Sequence, residues 1–283
     1  KNDEAKGILI THDCLAEVVD EAIEKKCNLI VCFHPIIFKG LQKLSGNSHV
    51  EQAVKKAIKN DIAIYAIHTA LDNQVHGVSF GLSQALGLVH TSTLLPKENT
   101  IKKLNFYVPK QQAQEVQNAL FSVGAGSIGH YDECSFSTEG KGSFRPLENS
   151  NPYVGKSGER HTEDEVQIQM VFQKHVESKV IDSLISNHPY EEVAYEISSL
   201  SNVNQNIGMG KIGKLPKGMK EDAFLKFVKD QLGTPVLRHS KIGVKTIERV
   251  AVLGGSGSFA IQAAKKKKAD AYITADLKYH DFF

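Results

Sequence analysis

The sequence predicts an α/β protein in which two βα lobes with strands of the parallel type flank a smaller inserted α+β domain. Three observations lead there. Short apolar runs alternate with longer amphipathic ones over the first hundred residues, the alternation resumes near Glu248, and the stretch between follows a different order. In the first part, Gly7 to Thr11 (GILIT), Leu29 to Phe33 (LIVCF) and Ile62 to Ile67 (IAIYAI) are nearly all apolar, as parallel strands covered on both faces should be. Cys14 to Lys26, Val50 to Lys59 and Val78 to Leu86 carry helical periodicity. After Glu248, Arg249 to Leu253 (RVAVL) reads as a strand, a helix runs through Lys268, and Ala271 to Thr274 (AYIT) reads as a further strand.

The middle reads β-α-β-α-β: a strand at Leu104 to Val108, a helix at Gln111 to Val123, a strand at Val166 to Phe172, a helix at Val176 to Asn187 and a strand at Val193 to Ile197. A Gly-, Ser- and Pro-rich loop occupies Gly124 to Arg160, long enough to suggest a functional or mobile segment. The expected divisions are residues 1–102 and 211–283 for the two lobes and 103–210 for the insert.

Charge and cysteine content narrow the function. The 283 residues carry 34 basic and 32 acidic side chains, a net charge of +2, so no whole-molecule field draws in nucleic acid or a membrane surface. No apolar run approaches the roughly 20 residues that span a bilayer, and the four cysteines form no Cys-x-x-Cys pair. Reduced cytoplasm is the expected setting.

Each strand of the first lobe hands over to polar residues at its carboxyl end: His12 and Asp13, then His34, then His68 and Asp72. In open parallel sheets these ends converge on the ligand crevice. Pro35 biases His34 toward extended backbone and so fixes its direction. Imidazole with carboxylate is the donor set of zinc, iron or manganese, with zinc bonds near ~2.0–2.2 Å.

Specific stretches then point to a family. Cys32 to Lys39 (CFHPIIFK), Ala66 to Asn73 (AIHTALDN), Gly124 to Gly129 (GAGSIG), Gly140 to Pro146 (GKGSFRP), His188 to Tyr195 (HPYEEVAY) and Ile273 to Asp281 (ITADLKYHD) resemble, in order, the Nif-three-like proteins. Members are often labelled GTP cyclohydrolase I type 2 homologues. The resemblance implies a two-lobed αβα core with mostly parallel sheets, an inserted ferredoxin-like α+β domain similar to the P-II and CutA signalling fold, up to two divalent metal ions per subunit, a toroidal homohexamer and a small-molecule substrate. It also implies that His34 and Asp72 are metal ligands, Asp72 bridging the two ions. Where the family's motif has the first histidine of His-His-Pro, this chain has Phe33, and two further ligands, a histidine and a glutamate, are expected beyond Phe283.

His68, four residues before Asp72, is a candidate to orient it or to bind metal. Asp276 and His280, four apart on what reads as the first turn of a helix, are candidates for catalytic proton transfer, since a bound ion brings the pKa of water to roughly 7. Gly254 to Ser258 (GGSGS) admits both a tight-turn and a phosphate-loop reading, although it lacks the Gly-Lys-Ser/Thr of a Walker motif. Two functions follow as expectations: a metal-dependent hydrolase of a small, nucleotide-like or other molecule, or a non-catalytic ring in which the metal is structural and the insert binds a ligand.

Overall fold

A computed structural model describes residues 4–243 and 246–283. The chain forms two compact units, one made of Lys1–Leu95 with Asn206–Phe283 and the other of Pro96–Gln205.

The first unit opens with β1 (Ile8–Thr11), α1 (Ala16–Glu24), β2 (Leu29–Cys32), α2 (His49–Lys59) and β3 (Ala63–Ala66), followed by the single-turn α3 (Thr69–Asp72) and α4 (Val78–Ala85). β1, β2 and β3 pair in parallel in that order, with Thr11 level with Cys32 and Cys32 level with Ala66. α1 and α2 close over Ile30 and Cys32 to make a core of Cys14, Val19, Ala22, Ala53, Ala57 and Ile62. The expectation of a sheet covered on both faces fails here: Ile8, Ile10 and Tyr65 are exposed, Ile10 to 81%. Apolar composition reflected strand propensity, and only one face has a helical layer packed on it.

Burial alone does not position the loop between β2 and α2; a carboxylate does. Ser48 caps α2 by accepting from the Glu51 N–H. Glu51 Oε2 in turn accepts from the Gly46 N–H at 2.7 Å, from the Asn47 N–H and from the Ser45 hydroxyl at 2.7 Å. One side chain thus ties the end of the segment that begins at Phe33 to a helix.

A second sheet uses β4 (Val89–Lys97), β9 (Asn204–Met219), β10 (Ile247–Ser256) and β11 (Ala271–Asp276), in the order β11-β10-β9-β4. β10 pairs in parallel with β11 but antiparallel with β9, so "mostly parallel" holds for the first sheet and not for this mixed one. Unlike the first sheet, it is covered on both faces. Val250 and Val252 face Leu86, Phe224 and Val228, the last two from α7 (Glu221–Leu232), while Ala251 and Leu253 face Ala260 and Ala264, the latter on α8 (Ile261–Lys266). β9 is a strand despite its glycines because they make the pairing fit: a Cβ on Gly213 would lie 2.9 Å from the Val89 carbonyl oxygen.

Gly254 to Ser256 form the end of β10, past a register shift after Leu253, and Gly257 leads into a 3-10 turn at Ser258–Ala260. The Gly255 and Gly257 carbonyls accept from the Thr274 and Tyr272 hydroxyls of β11, each at 2.8 Å, so the strand runs on where a tight turn was one of the two expected readings. Lys267, in the same segment after β10, donates to the Thr93 carbonyl at 2.7 Å.

The second unit contains β5 (Ile101–Pro109), α5 (Ala113–Ser122), β6 (Phe136–Phe144), β7 (His161–Gln173), α6 (Glu177–Asn187) and β8 (Tyr195–Ser199). Its four-stranded sheet has the order β6-β7-β5-β8 with every pair antiparallel, the arrangement of a βαββαβ ferredoxin-like unit. β6 lies inside the stretch expected to be a loop. Its sequence, FSTEGKGSF, is polar and glycine-rich because most of the strand faces solvent, and hydrophobic periodicity cannot reveal such a strand. Alternate residues of β5 and β7 (Leu104, Phe106, Val108; Val166, Ile168, Met170, Phe172) pack on Val116 and Leu120 of α5 and Val180 and Leu184 of α6. Each such side chain contributes roughly 1.5–3 kcal/mol of burial.

The Glu51 carboxyl is held down to about 2 from an ordinary 4.5, first by the Ser45 hydroxyl and then by the Gly46 N–H. Its stabilisation is therefore complete above about pH 4.5 and is lost as the pH falls toward about 2. Glu51→Gln should lower the melting temperature at neutral pH, and the gap to wild type should narrow through that window. A gap independent of pH would show that the charge plays no part.

Candidate functional site

The register of the first sheet places the carboxyl ends of β1, β2 and β3 side by side, and the hydrogen bonds continue past the strands. The His12 carbonyl accepts from the N–H groups of Phe33 at 3.2 Å and His34 at 3.1 Å, and the Phe33 carbonyl accepts from the His68 N–H at 2.9 Å. Three imidazoles meet as a result. The ring centre of His34 lies 4.6 Å from that of His12 and 6.1 Å from that of His68. Phe33 packs among them, stacked on His12 at 5.5 Å and meeting His34 and His68 edge-on at 5.1 and 5.8 Å.

Asp13 completes the near side. His34 Nδ1 lies 2.7 Å from Asp13 Oδ1; an ionised carboxylate only accepts, so Nδ1 carries the hydrogen and Nε2 is left open. Both side chains are about half exposed, and such a pair contributes at most about 1 kcal/mol of stability. Its consequence is orientation of the ring. Ligand atoms of His12, Asp13 and His34 all lie within 4.8 Å of one another, a spacing that small rotations of exposed side chains bring to metal-bonding distance.

His68 enters from a strained backbone. Its φ of 41° and ψ of −135° are those of the first central residue of a type II′ turn, a position glycine prefers. The turn is closed by the Ala70 N–H donating to the Ile67 carbonyl at 3.1 Å. A side chain kept in such a conformation costs roughly 1–3 kcal/mol and commonly marks a functional position. Asp72 ends the single-turn helix that follows. Burial pushes its carboxyl up from the ordinary value, with His68 opposing the shift, which places the two groups within each other's field. Gly77 closes the next turn; a Cβ there would run into the Leu71 carbonyl oxygen.

Thiols have no part in this cluster. Cys14 and Cys32 are buried in the core, and burial, with Cys32 second, raises the Cys14 thiol to about 11. Asp276 and His280 stand at the end of the second sheet. Asp276 is the last residue of β11, level with Ser256, and His280 lies in a short 3-10 turn with its ring 5.4 Å from that of Tyr279. The helical turn expected to hold both on one face is not formed: β11 runs on through Asp276 before that turn begins. His12 and Asp13 were legible as strand-end polar residues, but no spacing in the sequence ranks them above His68; only the folded register does.

These features can be set beside known proteins. The family model for Duf34/NIF3 (NGG1p interacting factor 3) matches residues 1–283. The chain belongs to the Duf34/NIF3 family. A Bacillus subtilis (strain 168) relative named GTP cyclohydrolase 1 type 2 homolog is 42% identical over 280 residues, covering 99% of this chain and 75% of the relative. One from Halalkalibacterium halodurans with the same name is 37% identical over similar shares. Among solved structures, the Bacillus cereus protein related to NIF3 superposes with a TM-score of 0.83 at 40% identity, covering 99% of this chain and 75% of that one. The resemblance seen in the motifs is thereby confirmed for the whole chain. No helix among the described residues is long and apolar enough to cross a membrane.

The strain at His68 has a measurable signature. At an ordinary backbone position alanine is more stable than glycine by roughly 0.5–1 kcal/mol. At position 68 the order should invert, His68→Gly exceeding His68→Ala by about 1 kcal/mol in chemical denaturation. Equal stabilities, or alanine ahead, would mean that the turn relaxes and stores no strain.

Proposed function

We propose that the chain is a divalent-metal-dependent hydrolase of a small molecule that carries a carbonyl or phosphoryl group, a nucleotide-like one included. The observation that carries this reading is the convergence of imidazole and carboxylate donors at three adjacent strand ends. His34, His68 and Asp72 are the proposed ligands, and nitrogen-plus-carboxylate donors favour zinc, iron or manganese over magnesium or calcium. When bound, such ions supply Lewis acidity and acidify water near neutral pH. Asp13 holds the His34 ring, Phe33 keeps solvent from one side of the imidazoles, and Asp276 and His280 are the groups proposed to move a proton at the reacting oxygen. The family resemblance adds a homohexameric ring, a cytoplasmic setting and a P-II- or CutA-like role for the insert. Nothing in the cluster reads a guanine base, so GTP is one candidate substrate among several.

A second reading has its own support. The unit Pro96–Gln205 contains a cavity of about 640 Å³, lined among others by Tyr107, Phe144, Arg145, Tyr153, Glu165 and Tyr190. That size suits a small organic ligand. In this reading the ring is a regulatory scaffold, the insert senses the ligand and the metal is structural.

The two readings part on metal content and turnover. Under the first, the purified protein binds zinc or manganese and hydrolyses at least one member of a phosphatase, nucleotidase and cyclic-amide substrate panel. Asp72→Ala should then lower affinity for the ion by at least the 10–100-fold typical of lost supporting groups, and turnover with it. Turnover that survives Asp72→Ala excludes the hydrolase as drawn, and bound metal without turnover on any substrate supports the scaffold.

A further inference from the structure

We infer that His12, from the tip of β1, is a metal ligand of this chain and supplies the imidazole that position 33 lacks. The inference rests on the metal-centre reading above and extends it to a residue that the family resemblance does not name.

Three observations carry it. First, the backbone fixes the pair: the His12 carbonyl accepts from both Phe33 and His34, so the side chains at 12 and 34 cannot drift apart without breaking the extension of the β1–β2 ladder. Second, the donors are close: His12 and His34 have the shortest ring separation in the cluster, 4.6 Å at an interplanar angle of 71°, and their ligand atoms fall with that of Asp13 inside 4.8 Å. Third, the phenyl ring of Phe33 lies parallel to that of His12, 7° between planes, and walls one face of it. A ring that offers no donor thus braces the neighbouring one that does.

The contrast with another histidine separates His12 from one whose nitrogens are used in the fold. His188 is buried with both nitrogens satisfied: Nε2–H donates to the Tyr107 carbonyl at 2.8 Å, and Nδ1 accepts from the Tyr190 N–H at 3.0 Å. His12 is exposed, and its ring nitrogens make no hydrogen bond among the described residues. Its packing on Phe33 and His34 leaves those nitrogens free, the condition a ligand must meet. With His12 counted, the cluster offers three imidazoles from three strands, so it should take cobalt or zinc and discriminate against magnesium.

The test is relocation of the imidazole. Wild type, His12→Ala, Phe33→His, the double variant His12→Leu/Phe33→His, and Asp72→Ala are titrated with Zn²⁺, and Co²⁺-loaded samples give visible spectra and an X-ray absorption count of histidine ligands. The expected result is a 10–100-fold weaker Zn²⁺ affinity and one histidine fewer in His12→Ala, with affinity within a few-fold of wild type in the double variant. His12→Ala with unchanged affinity and an unchanged Co²⁺ spectrum would overturn the assignment while leaving the metal centre standing, provided Asp72→Ala still weakens binding. No Zn²⁺ binding by wild type would overturn both. Should His12→Ala not fold, the imidazole ¹H–¹⁵N spectrum of wild type decides the matter: the His12 ring nitrogens must shift on Zn²⁺ addition, and a static His12 signal during saturation sinks the proposal.

Discussion

The parallel register of β1, β2 and β3 is the constraint on which the rest depends. Because Thr11, Cys32 and Ala66 are level, the residues just beyond them emerge at one height, and the ladder continues through the backbone of His12, Phe33, His34 and His68. A slip of one residue in β2 would exchange the sides of Phe33 and His34 and put a phenyl ring where the imidazole now meets Asp13. Strand pairing therefore selects the donor set, and the core under α1 and α2 selects the pairing, since Ile30 and Cys32 point inward only in this register.

Polar anchoring and strain balance each other around that core. The exposed His34–Asp13 pair adds little stability, and the His68 turn takes some away. Compensation comes from local devices such as the Glu51 carboxylate, whose several hydrogen bonds fix the loop that follows His34. The site is thus borne by a scaffold of ordinary apolar burial and one capped helix.

The first lobe was readable because its strands are short apolar runs bounded by helical periodicity. Three strands escaped: β4 and β6 are largely polar on an exposed face, and β9 is rich in glycine because neighbouring backbones come too close for side chains. Hydrophobic pattern reports burial, so it is silent on strands whose pairing is set by backbone fit. At the site, His34, His68 and Asp72 were nameable from strand ends and motif resemblance. The closeness of His12 to His34 was not, since it arises from two segments 22 residues apart aligned by the ladder. The strain at His68 was equally hidden, because nothing in the sequence marks a histidine in a glycine conformation.

Gly77 has no side chain, yet the turn that carries Asp72 depends on it. Its lack of a side chain lets the Leu71 carbonyl sit where a methyl group would otherwise be, and Leu71 immediately precedes Asp72. An alanine there would leave every polar residue of the cluster in the sequence while forcing the main chain next to Asp72 to move. The spacing of the main chain behind a set of polar side chains is thus as much a part of their arrangement as the side chains themselves.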